Sequence, residues 1–312
     1  MHLATEQQAT ALNLTSIAQN AGAGRWRTEA MRSHATPRLI YITKGQGRIT
    51  VAGLTSGYGP NNLIYVPAHT MYGFEVGPSV FGQMLTIPAA MAAEWPDKAI
   101  HLRLRDVIVQ KEFAHMVEAL ERELRNNGRN HSRAAHYHFG LLSVFFDRQI
   151  YQVAADTHTA RTKTSAARLV AAFTDLIERD YRKDHGVSDY ATVLGVTATH
   201  LTRCCNQTCG KSALALLRDR VNYEACILLR ETRTPVNEIA AQLGLKKRGL
   251  FRAQLFGANR HNAKRLSQAR CCNAAKRNAV LVACDHRHLP THNVANDPSI
   301  CRKIDKFRQR VH

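Results

Sequence analysis

Residues 187–212 read VSDYATVLGVTATHLTRCCNQTCGKS, and residues 216–245 read LLRDRVNYEACILLRETRTPVNEIAAQLGL. In the first stretch Ser188 is a suitable N-cap for a short helix carrying Tyr190, Ala191, Val193 and Leu194. Gly195 then supplies a sharp turn, where a Cβ would be strained in a left-handed conformation. Thr197 caps a second helix over 198–207, and Gly210 ends it. Leu201, Cys204 and Cys205 fall at helical spacing on the inner face of that helix. Its outer face presents Thr199, Thr202, Arg203 and Asn206, short polar groups and a guanidinium suited to base edges and phosphates.

Working outward, the spacing predicts a long helix over 213–231 with Leu214, Leu217, Val221, Ala225 and Leu228 as its apolar stripe. Arg218, Arg220 and Arg230 then mark solvated positions. Thr234 reads as the cap of a further helix with Pro235 at its first position. The buried face of that helix is Val236, Ile239, Ala240 and Leu243, and Gly244 takes the place that Gly195 held before.

Two such units joined by one long helix resemble the DNA-binding domain of AraC/XylS-type transcription regulators, over residues 166–245. The resemblance implies DNA contact through Thr199, Thr202, Arg203 and Asn206, with His200 and Leu201 in packing positions. An ordinary helical bundle is the competing explanation. Two units in register with a linker helix of the right length weigh against it.

Beyond Leu245 the family pattern of an aromatic pair, Ser-Arg, a further aromatic and Thr-Gly before a Pro is missing. The chain runs instead through Lys246, Lys247 and Arg248 into Gly249, Leu250, Phe251 and Arg252. Back-translation from Gly249 onward admits codons that, shifted forward by one base, encode AYFARSFSALTGITP, which supplies the missing pattern. The freedom of codon choice makes this compatibility and not proof. A frameshift near codons 244–249 is the resulting hypothesis. Sequencing the locus is expected to find the motif in the shifted frame, and a shifted frame without it would sink the idea. Residues 246–312 carry 16 Lys/Arg against 3 Asp/Glu, +13 of the chain's net +19. A genuine basic tail gripping phosphates is the alternative origin.

The amino-terminal half differs in kind. RLIYITKGQGRITVAGL reads as two strands around Lys44-Gly45-Gln46-Gly47, and NNLIYVPAHTMYGFEV and SVFGQMLTI add short strands bounded by Gly and Pro. Strands at this spacing suggest a small barrel or sandwich, and their order with the VPAHTMYGFEV element resembles the cupin-like sensor half of the same regulators. Tyr41, Arg48, Tyr65, His69 and Tyr72 are the candidate lining of an effector cavity, although each taken singly reads better as a strand residue packed in the core or exposed outside. A metal-binding cupin needs converging His and carboxylate ligands; His69 stands alone before Glu75, with Met71 two positions on, so no metal is expected. Segments 104–124 and 136–151 read as amphipathic helices joined by Asn126-Asn127-Gly128, which the resemblance makes a homodimer interface and which serve equally well as a lid. Thr157, Thr159, Thr162 and Thr164 mark a polar linker.

Length and composition agree with this division. A chain of 312 residues is long enough for two domains, and 45% hydrophobic residues suffice for buried cores. No signal peptide or membrane span is legible, so a cytoplasmic protein with its eight Cys as reduced thiols is expected. Cys204, Cys205 and Cys209 read as buried thiols in preference to a metal or redox site.

The expected fold class is α+β. A cupin-like β-barrel with two helices occupies 1–153, a linker 154–165, and an all-α double helix-turn-helix domain with an incomplete second unit 166–245. An atypical basic tail, disordered or frameshifted, follows over 246–312. The expected function is sequence-specific transcription regulation in response to a small-molecule effector, with double-stranded DNA as partner and no catalytic residues, cofactor or membrane association. A frameshifted regulator with impaired specific binding and a cupin-type enzyme are the alternatives.

Overall fold

A computed structural model describes residues 11–17, 26–77, 79–156, 164–232 and 234–244. Eight strands come first: β1 Asn13–Ser16, β2 Arg38–Lys44, β3 Gly47–Val51, β4 Leu54–Tyr58, β5 Asn62–Val66, β6 Tyr72–Phe74, β7 Phe81–Thr86 and β8 Ile100–Arg103. They form a five-stranded sheet in the order β1-β7-β2-β5-β8 and a three-stranded sheet in the order β4-β3-β6. Every pairing is antiparallel.

The two expected strands around residues 44–47 are present, but they lie in different sheets. Gly45 makes this crossing possible. Its φ is +86°, and a Cβ there would sit 2.5 Å from the Ser79 carbonyl oxygen.

The large sheet is buried on both faces. Ile40, Ile42, Ile64, Val66 and Met84 point inward to meet Ile49, Tyr58, Tyr72 and Phe74 of the small sheet. On the opposite face Leu39, Tyr41, Leu63, Tyr65, Leu85 and Leu102 pack beneath two helices, α1 Val107–Arg125 and α2 His131–Asp156. A sheet covered twice needs continuous apolar strands, which is why all of β5 is buried. Asp106 caps α1, its Oδ1 accepting from the Ile108 N–H at 2.6 Å. In the connection to α2, Asn126 Oδ1 accepts from the Gly128 N–H at 2.9 Å, the turn expected at Asn-Asn-Gly.

The carboxyl-terminal helices are α3 Ser165–Asp180, α4 Val187–Val193, α5 Ala198–Cys209, α6 Ala213–Glu231 and α7 Val236–Gln242. They share a third core around Val170, Phe173, Ile177, Tyr190, Leu201, Cys205, Leu216 and Ile239. Met31 and Met71 of the strand-rich half join it, and the hairpin turn between β3 and β4 seats Gly53 against Val170. The tail at 246–312, with the proposed frameshift, lies outside the described residues, as does most of the linker.

Four local expectations are corrected. The N-cap of α4 is Gly186, not Ser188; the Asp189 carboxylate accepts from the Gly186 N–H at 2.7 Å and closes that end of the helix. The N-cap of α7 is Pro235, without a side-chain cap, in place of Thr234. Arg220 is buried, where a solvated position was expected, and Leu214 of the expected stripe is 42% exposed.

Candidate nucleic-acid interface and effector-facing residues

The first helix-turn-helix is built by α4, the Gly195 turn and α5. Gly195 has φ +67°, and its N–H reaches the Thr192 carbonyl at 3.1 Å. Thr197 Oγ1 accepts from the His200 N–H at 3.1 Å and starts α5, and Gly210, at φ +67°, ends it. Leu201, Cys204 and Cys205 face the core as expected. That anchoring leaves Thr199, Arg203 and Asn206 exposed on the opposite side, with Thr202 half-buried beside them. Positions 199, 202/203 and 206 lie one turn apart, so a single outward stripe brings all four together. Arg203 Nη2 lies 3.1 Å from His200 Nδ1, and no carboxylate pairs with this guanidinium among the described residues. An exposed guanidinium on a rigid helix, with no acid beside it, is the chemistry that reads guanine edges or grips phosphate.

The second unit repeats the first up to its turn. Leu243 N–H bonds to Ile239 O and Gly244 N–H to Ala241 O, both at 3.1 Å, as Leu194 bonds to Tyr190 and Gly195 to Thr192. Gly244 shares the positive φ, at +68°, and a Cβ there would sit 2.6 Å from the Arg182 carbonyl oxygen. Ile239, Ala240 and Leu243 are buried. The residues that follow this turn lie outside the described residues.

The two units hang on α6, which an ion-pair cluster fastens to α3. Arg220 Nε and Nη2 donate to the two Glu178 carboxylate oxygens at 2.7 and 3.2 Å, and Nη1 donates to Glu224 Oε2 at 3.1 Å. Arg182 Nη2 reaches the other Glu224 oxygen at 3.0 Å. The Arg220 guanidinium lies 3.9 Å from the centre of the Tyr181 ring. Burial raises the Glu224 carboxyl pKa, but Arg220 and Arg182 outweigh it and hold the carboxyl below its ordinary value.

The thiols on α5 have the character of packing groups. Burial pushes Cys205 up to about 12, with Cys209 and Cys204 adding to the rise, and burial raises Cys209 as well. Among the described residues no group of three or more His, Cys, Asp or Glu is arranged to hold a metal ion.

The five sequence-selected effector residues do not converge. Tyr41 and Tyr65 lie on the helix-facing side of the large sheet, Tyr41 edge-on to Phe113 at 4.8 Å and Tyr65 stacked on Trp95 at 5.3 Å. Both are committed to holding α1 and α2, so they do not line the interior. Arg48 is exposed and paired with Glu75 at 3.2 Å. His69 is exposed in a turn with φ +56°. Only Tyr72 faces the interior between the sheets. Beside Tyr72 stand Arg32, buried ahead of β2, and Arg38, half-buried where β2 opens; neither belonged to the selected set.

A model described as an AraC-like ligand binding domain matches residues 13–142, and one described as a helix-turn-helix domain matches residues 190–256. No curated protein matches the chain. Among solved structures the chain is similar to ToxT from Vibrio cholerae, solved with an unsaturated fatty acid bound. The identity there is 11%, over 79% of this chain and 90% of that one, with a TM-score of 0.40. It is also similar to the C-terminal domain of AraT, a response regulator from Geobacillus stearothermophilus (18% identity, 44% and 98% covered, TM-score 0.31). The AraC-like transcriptional activator CuxR is a third similar structure (12% identity, 66% and 70% covered, TM-score 0.28).

Proposed function

We propose, from the premise that this chain is an AraC-type transcription regulator with a ligand-binding domain and a helix-turn-helix DNA-binding domain, that it reads its operator through Thr199, Thr202, Arg203 and Asn206. The observation that carries this reading is the exposed stripe on α5, opposite the buried Leu201, Cys204 and Cys205. Such a helix lies in the major groove, with phosphate contacts supplying affinity and base contacts supplying specificity. Residues 1–153 then sense a small molecule, 154–165 link the halves, and 166–245 carry the DNA contacts. The site of action is the cytoplasm.

The test is binding to DNA from the protein's own promoter and to a scrambled duplex, at two salt concentrations. Preference for the promoter at both is the expected result. Equal affinity for the two duplexes overturns specific recognition.

We further infer that the regulator is a homodimer through α2. Its buried side, Phe139, Leu142, Phe145 and Phe146, is used up against the large sheet. The opposite side still carries Tyr137, Leu141, Val144 and Tyr151, a seam at heptad-like spacing with Leu141 59% exposed. Among the described residues nothing covers that seam. Leu141→Glu is expected to convert dimer to monomer in sedimentation velocity while leaving the melting of the protein nearly unchanged. An unaltered sedimentation coefficient overturns this interface.

A further inference from the structure

The large sheet ends at β8 and the small sheet at β4, and neither edge has a further partner strand among the described residues. A chain of polar side chains crosses the seam between them. The Ser56 hydroxyl stands 3.0 Å from His101 Nδ1, and His101 Nε2 stands 2.7 Å from Asn62 Oδ1. The Asn62 amide is oriented by its own neighbour: Nδ2 donates to the Pro60 carbonyl at 3.2 Å, which leaves Oδ1 for the imidazole. His101 therefore carries its proton on Nε2, and its Nδ1 lone pair accepts from the Ser56 hydroxyl. Asn62 is buried and holds this order from within, Ser56 is half-buried, and His101 opens to solvent.

The seam also encloses space. A cavity of about 110 Å³ lies between Leu54, Ser56, Ile100 and His101 of the strands and Ala167 and Ala171 of α3. Ser56 and His101 supply its only polar side chains, and the other walls are short and aliphatic. A backbone donor stands at the same edge. Glu75 N–H donates to Arg48 O at 2.9 Å and Ala52 N–H donates to Met71 O at 2.8 Å, so Arg48 and Ala52 turn their backbone groups to the β6 side. Alternation along β3 then turns Ile49 and Val51 to β4, where they face Ser56 and Leu54. Gly57, opposite Arg48, directs its N–H away from β3 onto the free edge. The N–H that follows a nucleophilic serine is a common oxyanion donor.

We propose that Ser56 is a nucleophile activated by His101, and that the chain transfers short acyl groups from esters to this serine and then to water. Ser56 Oγ attacks the ester carbonyl carbon while His101 Nδ1 takes the hydroxyl proton. The oxyanion so formed faces the Gly57 N–H. Its collapse breaks the bond to the alcohol oxygen, and the alcohol leaves with the proton from His101, which leaves acyl-Ser56. Water then adds to the acyl carbon and gives a proton to Nδ1. The carboxylic acid departs as Ser56 recovers that proton. Asn62 is a positioning residue: it fixes the tautomer but offers the imidazolium no counter-charge, so turnover is slow and acyl-Ser56 accumulates. The aliphatic walls between the strands and α3 take the acyl chain. Residues 56, 62 and 101 form no sequence motif, because only the topology brings β4, β5 and β8 together.

The test uses the full chain with 4-nitrophenyl acetate and 4-nitrophenyl butyrate. A burst of nitrophenolate equal to the amount of protein is expected, followed by slow turnover, with the acyl group mapped by peptide mass to Ser56. Ser56→Ala removes the burst and leaves the melting curve unchanged. His101→Gln slows acylation by about a hundredfold or more, the scale of a lost general base. Asn62→Asp supplies the missing charge and raises turnover, which an asparagine that merely ties β5 to β8 would not do. Ala171→Leu fills the cavity and slows butyryl transfer more than acetyl transfer. Acylation confined to lysines, no burst with either ester, or a burst that survives in Ser56→Ala each overturns the site and leaves the hydrogen-bonded chain as a clasp between the two sheets. Promoter binding by Ser56→Ala stays as in the unaltered protein, so loss of this activity and loss of DNA reading are told apart.

Discussion

Replacing Arg220 with alanine is expected to destabilise the helical half by roughly 3–5 kcal/mol, because it strands two carboxylates in a site built around a cation. Glu178 and Glu224 are 13% and 16% exposed, and Arg220 is 5% exposed, so water screens the cluster poorly. The loss comes less from the attraction removed than from the charges left behind. That distinction can be measured. A triple replacement of Arg220, Glu178 and Glu224 by apolar residues of similar size is expected to recover most of the loss, since a well-packed apolar substitute for a buried ion pair is often neutral or stabilising. Urea unfolding followed by helical circular dichroism separates the two variants. Equal destabilisation of both would mean that the cluster is held by shape and not by charge.

Two ion-pair groups, the Arg220 cluster and the separate Arg179–Asp180–Lys183 group, set the acid limit of the helical half. Glu224 is held below its ordinary pKa, and the Asp180 carboxyl, hydrogen-bonded by Arg179 and Lys183, is brought down to about 2. A carboxyl depressed in the folded state contributes its stability above the unfolded pKa, near 4, and loses it as pH falls through the folded value. The helical half is therefore expected to weaken from about pH 4 downward, and the Arg220→Ala variant to show a smaller acid dependence than wild type. Melting temperature against pH for the two proteins checks this, and parallel curves would contradict it.

Much of the helical half was legible because its signals are local. Thr197, Gly195 and Gly210 are caps and turns that backbone geometry forces on particular residue types, and the limits of α6 follow from Ser212 at one end and the Thr232 break at the other. Arg220 was illegible for the opposite reason. Its burial depends on Glu178, which is distant in sequence, and one arginine in a helix reads like any other solvated residue. In the strand-rich half, both faces of the large sheet are apolar, so alternation cannot say which face looks inward. That ambiguity placed Tyr41 and Tyr65 in an expected cavity when they hold the helices instead. Tyr72 lies on the small sheet, whose inner face meets only the barrel interior. Arg32 carries no pattern at all, since its partners are backbone carbonyls of a short turn and a ring from a later strand.

Arg203→Ala is expected to reduce affinity for the promoter by about 1–3 kcal/mol, the value of one good bidentate contact to a base, or roughly fivefold to 150-fold in Kd. The side chain is exposed and bonded only to His200, so folding stability should hardly change, and an unaltered melting curve confirms that the loss lies in recognition. What Arg203 touches is then decided by the comparison with scrambled DNA. If it reads a base, promoter affinity falls while scrambled-duplex affinity stays nearly constant. If it grips phosphate, both fall together and the slope of log affinity against log salt drops by about one. The sequence at 246–312, with its net +13, makes this comparison necessary, because dense basic charge binds any duplex at low salt and hides a specific loss. Raising the salt suppresses that background and leaves base contacts largely intact, so the effect of Arg203→Ala should grow with ionic strength when measured as the ratio of promoter to scrambled affinity. A ratio unchanged by the substitution at every salt concentration would remove Arg203 from the reading surface of α5.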